Sequence, residues 1–226
     1  MRKYRNEIKF IINKDSAEIL KNKLSLLMDI DSNSITDDNS YLIRSLYFDD
    51  DFSNAYYEKI DGVEYRKKYR IRIYNNDLSF IRLECKYKHE NKTSKDQILI
   101  DKDICDRIIN GNLDELNVKE DNLLKTFIID SRLKNLKPAV IVDYKRLAYT
   151  YPVSDVRVTF DSKIRSGRYN YNLYDNENTY KVIDDNEVVL EVKFNEILPE
   201  QIAIVLSTVP MVRQAFSKFA VCRSIK

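Results

Sequence analysis

The chain has 226 residues, with 38 Lys and Arg against 36 Asp and Glu, a formal net charge of +2, 43% hydrophobic residues, three Gly and four Pro. This composition excludes a disordered chain, and the near-cancelling charge leaves no whole-protein field to draw it to nucleic acid or to a membrane surface. Any anion selectivity must come from where the charges sit. The length suits one large β domain, and a single domain over 1–226 is expected.

Residues at about 4–12 alternate as a strand, and Asp15 or Ser16 can then cap a helix to about Met28 on Ile19, Leu20, Leu24 and Leu27. A polar loop follows at about 29–40. Strands are predicted at about 41–48, 65–74, 79–89 and 95–100, divided by the turn signals Asp61-Gly62 and Asn75-Asn76, with Asp49, Asp50 and Asp51 capping the first of them. A short helix starts at Asp101 or Asp103 and stops at Asn110-Gly111. An amphipathic helix over about 119–135 carries Leu123, Leu124, Phe127, Ile128 and Leu133 on its apolar stripe. Further strands are predicted at about 139–149, 155–161 and 187–194, after which Pro199 opens a helical turn and a last helix covers about 211–222. Eight or so strands joined by hairpins or single helices predict an α+β fold. The economical arrangement is an eight-stranded antiparallel β-barrel flanked by four or five helices.

Cys85, Cys105 and Cys222 are odd in number and widely spaced, so they read as reduced thiols. The N-terminus MRKYRNEIKF has no apolar signal core, and the longest apolar stretch, at about 202–212, is short and broken by Pro210. A soluble, cytoplasmic protein without direct membrane insertion is expected. His89, the single histidine, reads as a surface residue at a strand end.

Three strand-like runs carry an acid and a lysine two residues apart: Glu7 and Lys9 in RNEIKFII, Glu84 and Lys86 in IRLECKYK, Glu191 and Lys193 in VVLEVKFN. Residues i and i+2 of a strand share a face, so each run sets a carboxylate beside an ammonium and leaves apolar residues on the other face. Arg70 and Arg72 in YRIRIY, Arg44 in YLIRSLYFDD, and Arg5, Lys88, Arg146, Arg157 and Lys218 add cations. Helices covering the apolar faces from outside would free the charged faces to line a lumen. So many facing cations need water, carboxylates or a bound anion to offset repulsion, and a triphosphate or polyphosphate supplies that anion. The alternative is the solvated face of an open sheet. The pattern supplies no aromatic or Gly-rich base pocket, so weak selectivity among nucleotide bases is expected.

The runs RNEIKFII, YLIRSLYFDD, DGVEYRKKYRIRIY, LECKYK, PAVIVDYKRLAY, VRVTFDSKIRS, VLEVKFN with LP shortly after, and FSKFAVCR resemble, in order, the VTC domain. That domain is the polyphosphate polymerase module of the vacuolar transporter chaperone family, within the CYTH/triphosphate tunnel metalloenzyme superfamily. Many tunnel enzymes open with E-x-E-x-K; here Arg5 takes the first acidic position, as in the VTC branch and unlike the adenylate cyclase and thiamine triphosphatase branches. The resemblance implies a tunnel that binds ATP and polyphosphate and uses Mn²⁺ or Mg²⁺. It implies Lys9, Arg70, Arg72, Lys86, Arg146, Arg157 and Lys218 as phosphate ligands in catalysis, and Glu191 as metal ligand, with Glu7 and Glu84 as further candidates for the metal. Ser217 is implied as another phosphate contact, and Arg44, Lys88 and Lys193 as further residues lining the substrate path. A tunnel triphosphatase and a non-catalytic polyphosphate or inositol-phosphate binding module are the alternatives. The family's eukaryotic members carry sensor and membrane domains absent from this sequence, so export of a product would need a separate membrane partner.

Overall fold

The computed structural model describes residues 3–31, 38–114, 116, 121–175 and 177–225. Part of the polar loop at 29–40 and the first residues of the helix expected at 119–135 lie outside the described residues. The elements in order are β1 (Arg5–Asn13), α1 (Lys14–Leu24), β2 (Asp29–Ile30), β3 (Ser40–Asp49), α2 (Asn54–Ile60), β4 (Tyr65–Tyr74), β5 (Asp77–His89) and β6 (Lys92–Ile100). They continue as α3 (Lys102–Asn110), α4 (Asn122–Lys134), β7 (Lys137–Thr150), β8 (Arg157–Ser166), β9 (Tyr180–Lys181), β10 (Glu187–Phe194), α5 (Glu200–Leu206) and α6 (Lys218–Ser224).

All pairings are antiparallel, and the order β3-β4-β5-β6-β1-β10-β8-β7 closes on itself because β7 also pairs with β3. Eight strands therefore ring a lumen, with β2 and β9 attached at its sides. The seam between β6 and β1 is short, with Arg5 opposite Thr93 and Asn6 opposite Lys92. Beyond it, the edge of β1 is covered by the segment before α6: Phe10 bridges Arg213, and Gln214 N donates to Lys9 O at 2.8 Å.

Local signals set the element ends. Asn75 and Asn76 both take positive φ, 49° and 58°, as the tight turn between β4 and β5 requires. Asp101 caps α3 by accepting from Ile104 N, and Gly111 ends it at φ 78°. Asp49 accepts from Ala55 N and Tyr56 N, and Asp50 from Phe52 N and Asn54 N, so the acids expected to cap the strand end also start α2.

The outward faces of the strands are apolar and covered by helices. Tyr69, Ile71 and Ile73 of β4 and Ile81, Leu83 and Cys85 of β5 pack with Cys105 and Ile108 of α3 and Leu123, Leu124 and Phe127 of α4. Val158 and Phe160 of β8 and Leu190 and Val192 of β10 pack with Leu20 and Leu24 of α1 and Ile202 and Leu206 of α5. Each fully buried Ile or Leu is worth about 1.5–3 kcal/mol, enough to hold the ring with a charged interior. A third cluster lies inward, where Phe219 and Cys222 of α6 meet Ile43, Tyr47, Val142 and Tyr144. The last helix thus closes one end of the lumen. It begins at Lys218, not at 211 as its sequence suggested, because residues 213–214 follow β1 and Ser217 supplies the cap.

Candidate active site

Strand alternation fixes which residues face the lumen. Cross-strand register sets Glu7 opposite Lys193 and Lys9 opposite Glu191, Arg70 opposite Glu84, and Lys193 opposite Arg157. Arg5, Glu7, Arg70, Arg72, Lys86, Arg146, Arg157 and Lys193 all line one cavity of about 2080 Å³.

Most of the lumen cations are compensated by carboxylates. Lys9 Nζ lies 3.2 Å from both Glu7 and Glu191, Lys86 donates to both oxygens of Glu7 at 2.8 Å, and Lys193 pairs with Glu191. Arg70 and Lys95 share Glu84, at 2.5 and 2.8 Å, and Arg157 pairs with Asp31 while donating to Tyr41 Oη at 2.9 Å. Arg146 reaches both oxygens of Asp161, at 2.6 and 2.7 Å, and Lys218 Nζ lies 2.5 Å from the same carboxylate. Burial alone would raise the pKa of each acid, but the surrounding cations win. Lys86, Lys9 and Lys193 hold Glu7, and Arg70, Arg72 and Lys95 hold Glu84, well below the ordinary carboxylate range; Arg146 and Lys218 bring Asp161 to about 2.

Arg72 is different. Buried at 5% exposure, it donates to Ser45 Oγ at 2.9 Å and Tyr144 Oη at 3.1 Å, both neutral, and stands 3.9 Å from Glu84, whose oxygens Arg70 and Lys95 occupy. A guanidinium oriented by neutral groups keeps most of its charge for a ligand.

A second cationic group forms where α6 closes the lumen. Lys68 lies 4.5 Å from the Phe219 ring, and burial, followed by Arg66, Lys86, Lys59 and Lys9, lowers its pKa to about 7. Burial likewise lowers Lys88 to about 8, against the pull of Glu7. The unfolded chain, with ordinary lysines, binds more protons than the native one across this range. Stability of the ligand-free protein should therefore rise as pH increases from about 6.5 to 8.5. Melting curves at the two ends check this; a melting temperature that falls over the window contradicts the crowding of Lys68 and Lys88.

Of the residues expected at the site, Arg44 does not line the lumen. It sits on the outward face of β3, where Nε donates to Asp143 at 2.8 Å and Nη1 to the Leu173 carbonyl at 3.4 Å, and it pins the segment after β8 to the barrel. The lumen positions of β3 are Tyr41, Ser45 and Tyr47 instead. Ser217 caps α6, accepting from Ala220 N at 3.4 Å. The sequence reading missed Asp161, although Arg157, Thr159 and Asp161 follow the i, i+2 spacing that would have found it. It also missed aromatic rings in the lumen: Tyr41, Tyr74 and Phe80 line the same cavity, brought together from three strands.

The three carboxylates implied for a divalent ion separate into two groups. Glu7 and Glu191 converge on Lys9, close enough for each to raise the other's cost of ionisation, and Mg²⁺ or Mn²⁺ needs only one or two carboxylates when phosphate oxygens complete the shell. That pair fits the ion. Glu84, fully buried under Arg70 and Lys95, does not. Among the described residues no cluster of three acidic, His or Cys side chains gathers around one point.

A family model described as the VTC domain matches residues 4–225. No curated protein matches the chain. Among solved structures, a "putative adenylate cyclase" from Bacillus halodurans is 14% identical with a TM-score of 0.54, over 91% of this chain and 87% of that one. A Pyrococcus horikoshii OT3 protein is 12% identical with a TM-score of 0.47, over 96% and 97% of the two chains. A second "putative adenylate cyclase", from Vibrio parahaemolyticus, is 9% identical with a TM-score of 0.44, over 92% and 84%. At such identities only the likeness to the first carries weight, and it is a likeness of fold. The family match runs nearly from end to end over the residues that build the ring and its charged lumen, and this chain belongs to the VTC domain family.

Proposed function

We propose that this domain is a polyphosphate polymerase that transfers the γ-phosphoryl group of ATP to the terminal phosphate of a growing chain inside the lumen. The observation that supports this most is the closed ring around a cation-lined cavity of about 2080 Å³, a shape and charge suited to an extended polyanion. The acceptor is a phosphate already ionised near neutral pH, so transfer needs no strong general base. Positioning and neutralisation of charge on the transferring group are enough. Arg72 and Arg70 from β4 and Arg146 from β7 bind phosphate oxygens, with Arg146 and Lys218 aimed by Asp161. Lys9, Lys86 and Lys193 hold charge opposite them, and Lys88 continues the cationic path toward α6. Glu191 and Glu7 would hold Mn²⁺ or Mg²⁺, which would supply neutralisation of charge on the transferring phosphoryl group.

No described helix is long and apolar enough to cross a membrane. Arg72→Ala should lower kcat/KM for ATP about thirtyfold, or about 2 kcal/mol, the range for a charge-assisted contact, while the melting temperature without ligand changes little. Steady-state kinetics with a melting control check this; an unchanged kcat/KM would remove Arg72 from the site. The reading as a whole is tested by incubating the purified protein with ATP and Mn²⁺ and resolving products on a gel. Long acid-labile chains are expected, and orthophosphate alone would make the domain a hydrolase.

A further inference from the structure

The rim of the lumen at the β4–β5 turn carries a group of side chains that phosphate binding does not use. Tyr74, the last residue of β4, and Phe80, early in β5, have ring centroids 6.1 Å apart, and Tyr41 lies 6.1 Å from Tyr74. The Arg82 guanidinium lies 4.4 Å from the Phe80 centroid and 5.6 Å from that of Tyr74. All four line the cavity that holds Arg72 and Arg146. Tyr74, Phe80 and Arg82 remain partly exposed, whereas Ile71, Ile73, Ile81 and Leu83 of the same hairpin face outward into the core. Tyr74 is two residues from Arg72 on the same face of β4, about 7 Å along the strand.

We infer that Tyr74, Phe80 and Arg82 form a stacking platform for the base of the incoming nucleotide, which enters with its phosphates pointed inward to Arg72. This rests on reading the lumen as a triphosphate site. Aromatic faces and a planar guanidinium stack on any base, because every base presents a π-face, so the platform improves nucleotide binding without selecting adenine over guanine. It also sets direction. The base carries no negative charge to offset the cations deeper in the lumen, so it stays at the rim while the γ-phosphate reaches them.

The test compares ATP, GTP and inorganic triphosphate as ligands by isothermal titration. Phe80→Leu keeps an apolar side chain of similar size and removes the ring. It should weaken ATP and GTP binding about tenfold each and leave inorganic triphosphate within about twofold of wild type. Equal effects on all three ligands, or none on ATP, would overturn the platform and leave the phosphate site standing. Wild-type protein that binds none of the three overturns both. If Phe80→Leu does not fold, saturation transfer in the wild-type protein decides: transfer from aromatic ring protons to the protons of the ATP base is expected, and its absence with ATP bound overturns the platform.

Discussion

Glu191→Gln should reduce turnover with Mn²⁺ by roughly a hundred- to a thousandfold, about 3–4 kcal/mol, while the protein still folds. Glutamine keeps the size and one acceptor oxygen of the side chain but removes the charge. The proposed reading gives the divalent ion to Glu191 and Glu7, and Glu7 is already engaged by Lys86 and Lys9. The substitution also leaves Lys193 without its carboxylate, so a drop of a few degrees in melting temperature should accompany the loss. Both should be measured together with Mn²⁺ titration of the triphosphate-bound protein. Near-wild-type turnover would remove Glu191 from the metal site.

Asp161→Asn should cost about 3–5 kcal/mol of folding stability, the range for removing one partner of a buried ion pair. The carboxylate is fully buried and holds two cations, Arg146 from β7 and Lys218 from α6, so its neutralisation strands both. Acid titration carries the same signature. The Asp161 carboxyl is held near 2 in the folded protein, below the ordinary 3.8, so the unfolded state takes up its proton first. The stability it supplies is present above the ordinary value and is lost as pH falls through the folded one. Urea denaturation near neutral pH and at about pH 3 should therefore separate wild type from variant widely at the first and less at the second. A neutral-pH loss below about 1 kcal/mol would mean that water, not Asp161, compensates these cations.

The lumen was legible in the sequence where a strand shows one charged and one apolar face. Glu7-x-Lys9, Arg70-x-Arg72 and Glu191-x-Lys193 point inward, as their alternation requires. It failed on β3, where both faces are buried and the single arginine is not the lumen residue. Arg44 meets Asp143 outside, and the lumen face reads as Tyr41, Ser45 and Tyr47, with nothing charged to mark it. The start of the last helix was misplaced for a different reason. Residues at about 211–217 have an apolar start, but their backbone is drawn to the edge of β1, a long-range pairing that no local pattern encodes. The short helix α2 has no apolar period and depends on caps from Asp49 and Asp50. The rim aromatics come from β3, β4 and β5 and become neighbours only when the ring closes.

The claim on which the rest depends is that these charges face a lumen that takes up polyphosphate. Melting curves with and without long-chain polyphosphate, for the wild type, for Arg72→Ala and for the outward variant Lys137→Ala, test it directly. Lys137 pairs with Asp51 on the exterior, 2.8 Å away. At a hundredfold excess over Kd, ligand binding adds about 2.7 kcal/mol to folding. In a chain of this size that corresponds to a rise of about 5–10 °C. Wild type and Lys137→Ala should show this rise equally, and Arg72→Ala should show clearly less. Equal shifts in all three proteins would place the anion on the outer surface and contradict the lumen.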